Sequence, residues 1–540
     1  MGNFESSINT RGEAFSANRS SMLALVARLE ELNQRGATLS AKRAERFAER
    51  GQLLPRDRLA ALLDPGMPFF AIANLAGYLQ DNSDEAKSLP GGNVIAGIGF
   101  IEGVRCVISV SDSGIQAGAL TEPTAYRIFR AQEIALKHKL PFVHCVESAG
   151  ANLMQYTVGG FVAGGTFFAN LARLSAAGIP VINLLHGSST AGGAYMPGMS
   201  DYVVAVRDRA KAFLAGPPLL KAATGEIATD EELGGALMHA EVSGLVEYLA
   251  EDDAHAIEIG RDIVSKLQWQ QRCPPQPARL FAEPRLDIDD IAGIVPLDYR
   301  KPYDVREVIA RIVDGSDLLD FKPRFGVSTV CVQAAVFGHA CGIIANNGPI
   351  DPSGAAKATQ FMQLCDQAGH PLIFLQNTTG YLVGKAYEQG GMIKHGSKMI
   401  QAVTNVDVAK ITMNIGASYG AGNYGMCGRG MAPDFLLTWP NARTGVMGGD
   451  QAAKTMTMVS RAAAKAKGRD LPDDIVARQE SELSALFDGQ SDAFYTSGHM
   501  LDDGMIDPRD TRRVLGFLLD TIAAGATTNT RPNSFGVARI

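Results

Sequence analysis

The chain repeats itself. Gly187-Ser188-Ser189-Thr190-Ala191-Gly192-Gly193-Ala194-Tyr195 lies without a gap over Gly416-Ala417-Ser418-Tyr419-Gly420-Ala421-Gly422-Asn423-Tyr424. Each segment follows an apolar run that reads as a buried strand, VINLL before the first and KITMNI before the second. Upstream, FVHCV leads into Glu147-Ser148-Ala149-Gly150 and LIFLQ leads into Asn377-Thr378-Thr379-Gly380. Gly150 precedes Gly187 by 37 residues and Gly380 precedes Gly416 by 36. A duplication at an offset of about 230 residues therefore constrains the fold before any single motif does. Each copy also holds an earlier strand, VISVS or GIIANN, so each predicts an α/β unit with helices covering a sheet.

Cys273-Pro274-Pro275-Gln276-Pro277 and the residues to about Pro284 read as the linker. The predicted organisation is an N-terminal domain over 20–277 and a C-terminal domain over 285–535. Residues 1–64 form a charged, helical region counted with the first, including RAERFAERGQLLPRDRLAALLD, whose charges read as a solvated face.

The 58 glycines in 540 residues exceed the usual ~7%, with no three-residue period, so they belong at particular backbone positions. A turn of small residues between a strand and a helix start leaves backbone N–H groups free to hold developing negative charge, and a Cβ there would keep the substrate oxygen away. Four such turns, two per copy, predict a pair of anion-stabilising sites. Gly420 to Gly425 satisfies GxGxxG, but no acidic residue stands near twenty positions on and the first copy lacks the pattern, which argues against dinucleotide binding. Gly416 to Gly420 satisfies GxSxG, yet His499 is the only histidine after Ser418, which argues against a serine hydrolase. The nine histidines do not cluster, no HExxH or phosphate loop occurs, and no metal is expected.

Fifty basic against 57 acidic residues argue against nucleic-acid binding, and no apolar run reaches 18 residues, so no membrane association is expected. Seven scattered cysteines suit a reducing compartment, and no signal or transit segment is read, so the expected location is cytoplasmic.

A long ordered series of segments resembles the carboxyltransferase β subunits of biotin-dependent acyl-CoA carboxylases. It includes RGQLLPRDRLAALLDPG at 50–66, ESAGANL at 147–153, STAGGAYMPGMSD at 189–201, GAGNYGMCGR at 420–429 and WPNARTGVMGGDQAA at 439–453. The wording of GAGNYGMCGR and WPNAR is that of the branch handling 3-methylcrotonyl-CoA and geranyl-CoA. The resemblance implies a tandem duplication of the crotonase-like (ClpP/crotonase) fold. It also implies an acyl-CoA site on the N-terminal half of one protomer facing a biotin site on the C-terminal half of another. Carried over by position, the amides around Gly192, Gly193 and Ala194 would stabilise the thioester enolate, and those around Ala421, Gly422 and Asn423 the biotin ureido oxygen. Ser148, Ala149 and Gly150 would line the acyl pocket, and Thr378, Thr379 and Gly380 the biotin pocket.

The resemblance implies biotin, as carboxybiotin, and coenzyme A as part of the substrate. Carboxybiotin would supply both the carboxyl group and the base, which is why no side-chain base stands out. No Ala-Met-Lys-Met biotinylation site or ATP loop occurs. A separate biotin-carrying, ATP-using α subunit is therefore implied, with a β hexamer inside an α6β6 complex. Two departures bear on the substrate. Gly164 falls where methylcrotonyl enzymes carry a bulky phenylalanine, which favours the longer geranyl-CoA of acyclic terpene breakdown over methylcrotonyl-CoA; the alternative is that residues 163–165 only start a helix. Where relatives read TVKKHLRAQE, this chain reads TAYRIFRAQE, leaving Arg127 and Arg130 as candidates for CoA phosphate contacts beside a plain solvated face. Propionyl-CoA carboxylases, decarboxylase relatives and a non-catalytic assembly subunit are the remaining alternatives.

Overall fold

The computed structural model describes residues 4–152, 157–468 and 471–538. Leu153, which ends the ESAGANL match, and Tyr156 lie outside them. The chain divides into two compact units, Glu31–Pro277 with Asp520–Ile540, and Met1–Glu30 with Ala278–Leu519.

The unit of Glu31–Pro277 is built on strands β1 (Phe70–Ala71), β2 (Val94–Ile101), β3 (Val104–Ser111), β4 (Phe142–Ser148), β5 (Val181–Thr190), β6 (Tyr202–Val206), β7 (Lys211–Phe213) and β8 (Tyr248–Ala250). The order is β1-β2-β3-β4-β5-β6-β8, with β7 beside β5. β1 to β3 pair antiparallel, and from β3 onward the sheet is parallel. Parallel strands covered on both faces need apolar side chains in succession, and the buried FVHCV and VINLL runs supply them. Helices Glu122–His138 and Val158–Ala176 form the crossovers, each opened by a threonine cap: Thr121 accepts from the Thr124 N–H and Thr157 from the Gly160 N–H.

The other unit repeats this plan with β9 (Leu319–Asp320), β10 (Thr329–Val336), β11 (His339–Asn346), β12 (Leu372–Thr378), β13 (Lys410–Tyr419), β14 (Phe435–Thr438) and β15 (Arg443–Gly445). Its order β14-β13-β12-β11-β10-β9, with β15 beside β13, matches β6 to β1 with β7 beside β5. The place of β8 is taken by a single parallel bridge, Thr438 to Met505. The duplication extends to an irregularity. Between Val146 and Ser148 the β4–β5 register slips so that Ser148 faces Ser189, and between Gln376 and Thr378 the β12–β13 register slips so that Thr378 faces Ser418. The copies part after β15, where helices Gly449–Ala466 and Asp473–Ser491 replace the short helices Pro217–Thr224 and Asp230–Gly234.

The ends of the chain are exchanged between the units. The helices Glu13–Ala41, Ala44–Glu49 and Pro55–Leu62 fall within residues 1–64 as expected, but the first part of this region packs with the later unit: Glu307 accepts from the Ser7 N–H at 2.7 Å, and Gly293 has no Cβ because the Phe15 ring fills that space. At the other end, the Asn533 N–H donates to Ala176 O at 2.8 Å and Lys139 to Thr528 O at 2.8 Å, within the earlier unit. Among the described residues no helix is long and apolar enough to cross a membrane.

Candidate active-site turns

In the earlier unit the end of β4 is stitched to the loop after β3. Ser148 Oγ donates to Gly118 O at 2.8 Å and accepts from the Gly150 N–H at 3.1 Å; the Ala149 N–H donates to Ala117 O, and the Leu120 N–H to Gly150 O at 2.7 Å. Gln116, Ala117 and Gly118 all hold positive φ, two of them without the freedom of glycine, so the loop is strained where it meets the candidate site. β5 then enters the 3₁₀ turn Ala191–Ala194 and the short helix Tyr195–Gly198. In such a turn the first N–H groups, of Ala191 and Gly192, lack an intrahelical acceptor, while those of Gly193 and Ala194 come within reach of carbonyls three residues back. The turn thus holds Gly192, Gly193 and Ala194 together with Ala191 at the end of β5. A Cβ on Gly192 would meet nothing nearer than the Phe168 ring at 4.0 Å, so this glycine leaves open space over the amides.

The later unit is built alike. The Gly380 N–H donates to Thr378 Oγ1 at 3.2 Å, the Ile350 N–H to Gly380 O at 2.9 Å, and β13 runs into the helical turn Gly420–Gly425. Gly420, Ala421 and Gly422 carry its first N–H groups, with Asn423 next. Here the approach is tighter: a Cβ on Gly422 would lie 2.8 Å from Gly380 Cα. Only glycine permits that contact, so two backbone segments face one another without side chains between them. Thr379 stands exposed beside them. Ser418, the serine of the GxSxG pattern, is fully buried and held in hydrogen bonds, which removes it as a nucleophile.

A groove of about 360 Å³ opens beside Ser148, Ala149 and the Gln116–Ala117 loop, with Arg43, Arg46 and Arg50 on its rim and Glu147 in its wall. These arginines read as solvated helix charges in the sequence; their spacing in the chain carries no sign of the groove. Below it lies a buried ionic cluster. Arg58 donates to Glu147 at 2.7 Å and to Asp253 at 2.9 Å, His186 Nδ1 stands 3.0 Å from Asp253, and the Leu53 N–H also donates to Asp253. Burial pushes the Asp253 carboxyl up, but the hydrogen bond from His186 and the charge of Arg58 outweigh it and hold the group below its ordinary value. Burial also drives His186 down, so it stays neutral. Gly187 makes room for the acid, since its Cβ would lie 2.8 Å from the Glu147 carboxyl carbon; in the second copy Asn377 occupies the space beside Gly416.

The three remaining residues singled out in the sequence fare differently. Arg127 is neither on a solvated face nor free for a phosphate. Its guanidinium is buried and donates to the carbonyls of Ile72, Gly91 and Val94 at 2.7–2.8 Å, and burial pushes its pKa down to about 9. Arg130 pairs with Glu133 at 3.3 Å. Gly164 lies well inside the Val158–Ala176 helix rather than at its start, with nothing within 4 Å of its Cβ position. It precedes Phe168 by one helical turn on the same face, and the Phe168 ring stacks edge-on against Tyr195 and reaches toward Gly192.

A family model described as the carboxyl transferase domain matches residues 46–534. The chain is 48% identical over 520 residues to a probable biotin-dependent acyl-coenzyme A carboxylase β2 subunit of Mycobacterium tuberculosis, covering 95% of this chain and 96% of that protein. It is 44% identical over 487 residues to the biotin-dependent 3-methylcrotonyl-coenzyme A carboxylase β1 subunit of the same organism, covering 89% and 90%. Among solved structures, the β subunit of Pseudomonas aeruginosa geranyl-CoA carboxylase is similar with a TM-score of 0.93 at 50% identity, covering 100% of both chains.

Proposed function

Since the chain belongs to the carboxyl transferase family, as the carboxyltransferase component of a biotin-dependent acyl-CoA carboxylase, we propose that it carboxylates the γ-carbon of a branched α,β-unsaturated acyl-CoA of geranyl size. The observation that carries the size is the line Gly164, Phe168, Gly192. The helix face bearing Phe168 reaches the turn with the free amides, and one turn along that face Gly164 leaves a gap where a large side chain would extend the wall. The similarity to a geranyl-CoA carboxylase β subunit supports the same reading.

On the acyl side, Ala191 and Gly192 present N–H groups toward negative charge gathering on the thioester oxygen as the γ-proton leaves, with Gly193 and Ala194 completing the turn. Each preorganised donor of this kind is worth roughly 3–4 kcal/mol in the transition state. Ser148, Ala149 and Gly150 form the wall, and Arg43, Arg46 and Arg50 offer the positive rim that CoA phosphates require. On the biotin side, the side-chain-free approach of Gly422 to Gly380 leaves a flat recess that fits a thin ring carrying one oxygen acceptor. Thr378, Thr379 and Gly380 with Ala421, Gly422 and Asn423 would hold it there. Bound carboxybiotin supplies the carboxyl group and the base. A biotin-carrying, ATP-using α subunit is the required partner, and a β hexamer within an α6β6 complex is the proposed assembly.

The test combines this chain with its α subunit, ATP and bicarbonate and compares geranyl-, 3-methylcrotonyl- and propionyl-CoA. The expected order of kcat/KM is geranyl first, propionyl last. Gly164→Phe is expected to lower kcat/KM for geranyl-CoA roughly 10–200-fold while sparing methylcrotonyl-CoA. A wild-type preference for methylcrotonyl-CoA would overturn the geranyl reading in favour of the shorter substrate.

A further inference from the structure

The same register slip in the two sheets sets a pair of hydroxyls face to face, Ser148 with Ser189 and Thr378 with Ser418. Ser148 and Thr378 hold the loops that carry Gly150 and Gly380. Ser189 and Ser418 are fully buried, touch no solvent, and have no part in the reaction as derived so far. Resting on the proposed function above, we propose that Ser189 and Ser418 are positioning residues, each aiming the N–H groups of one turn, Ser189 for the acyl side and Ser418 for the biotin side.

The two serines do this by different bonds because the turns differ in sequence. In the first turn the α-helical donor to Gly193 O would be residue 197, which is a proline and has no N–H. A backbone N–H at the end of the turn reaches Gly193 O by the shorter 3₁₀-type bond, and Ser189 Oγ adds a second donor at 2.8 Å. Because a peptide unit is planar, gripping that carbonyl fixes the plane after Gly193 and with it the pitch of the turn. In the second turn residue 426 is a methionine, and its N–H makes the expected bond to Gly422 O at 3.0 Å. Ser418 is thereby released for a relay. It accepts from Asn423 Nδ2 at 2.7 Å and donates to Gln376 Oε1, while Gln376 Nε2 donates to Met426 O at 2.7 Å. The relay grips the turn at Asn423 and again at Met426. The first copy has Val146 and Ala194 where the relay has Gln376 and Asn423, so it cannot form one.

The experiment uses the complete α and β holoenzyme and two readouts. One is kcat and KM for acyl-CoA carboxylation; the other is bicarbonate-dependent ATP turnover without acyl-CoA, which follows carboxybiotin breakdown and involves the biotin side alone. Ser189→Ala is expected to lower kcat ~10–100-fold, with the KM for acyl-CoA within about twofold and the acyl-CoA-free turnover unchanged. Ser418→Ala is expected to lower both rates. Ser189→Cys and Ser418→Cys keep the shape with a weaker donor, and should move the same rates in the same direction if the alanine variants fold poorly. Alanine variants with wild-type kcat, a Ser189 variant that slows both readouts equally, or a Ser418 variant that leaves the acyl-CoA-free turnover unchanged would overturn the assignment. A wild-type holoenzyme that carboxylates none of the three acyl-CoAs would instead overturn the function on which it rests.

Discussion

Gly192→Val should abolish carboxyl transfer, by more than ~100-fold in kcat/KM, in a protein that still folds. Its Cβ position is open apart from the Phe168 ring at 4.0 Å, so the new side chain fits the fold but stands over the amides that the thioester oxygen must reach. Gly193→Val should lose transfer as well, with a modest stability cost, because its Cβ would lie 3.1 Å from Ser189 Oγ and displace the bond to Gly193 O. In the other copy, Gly422→Val meets backbone at 2.8 Å, which cannot yield without moving Gly380. The three variants therefore rank in thermal stability as Gly192, Gly193, Gly422, while all three lose activity. Wild-type-like turnover in Gly192→Val would remove the 191–194 turn from the mechanism.

The second large effect concerns stability. Arg58→Met leaves Glu147 and Asp253 without their shared cation and is expected to cost about 3–5 kcal/mol. Neutralising the acids together, in Arg58→Met with Glu147→Gln and Asp253→Asn, should recover part of that loss, since uncharged side chains no longer lack a counter-ion. The pH dependence follows from the same contacts. Asp253 is held below its unfolded value, so its contribution is complete above about pH 4 and fades as acid protonates the folded form. In Arg58→Met this acid limb should move to higher pH, read as the thermal midpoint against pH. A variant that melts with the wild type at neutral pH would show the cluster to be dispensable.

Much of this was legible in the residues. The strands before Glu147 and Asn377, the paired turns and the common sheet all follow from the repeat, because a buried parallel strand and a glycine turn each leave a local pattern. The glycine pattern marks the turns without fixing their donors, since which amides stay free depends on where the helical hydrogen bonds begin rather than on which residues are glycine. Arg127 could not be read correctly from its helix alone. The carbonyls that bind it come from Ile72, Gly91 and Val94, and only the folded chain brings them there. Arg43, Arg46 and Arg50 were hidden for the converse reason, being ordinary surface charges until a loop about 70 residues later closes a groove against them. Ser189 and Ser418 sat inside the recognised repeat, but their role depends on Pro197 and Gln376, and nothing in a nine-position match links those residues.

The exchange of chain ends bears on the order of synthesis. A duplicated fold invites one copy to be finished before the other begins, yet the earlier unit draws on Asp520–Ile540, which are translated after the later unit's Ala278–Leu519. The later unit draws on Met1–Glu30, which are translated before Glu31–Pro277 and must wait for Ala278–Leu519. Neither half is complete on its own during translation, so separating the gene at the proline-rich linker would yield two fragments that each lack a piece held by the other.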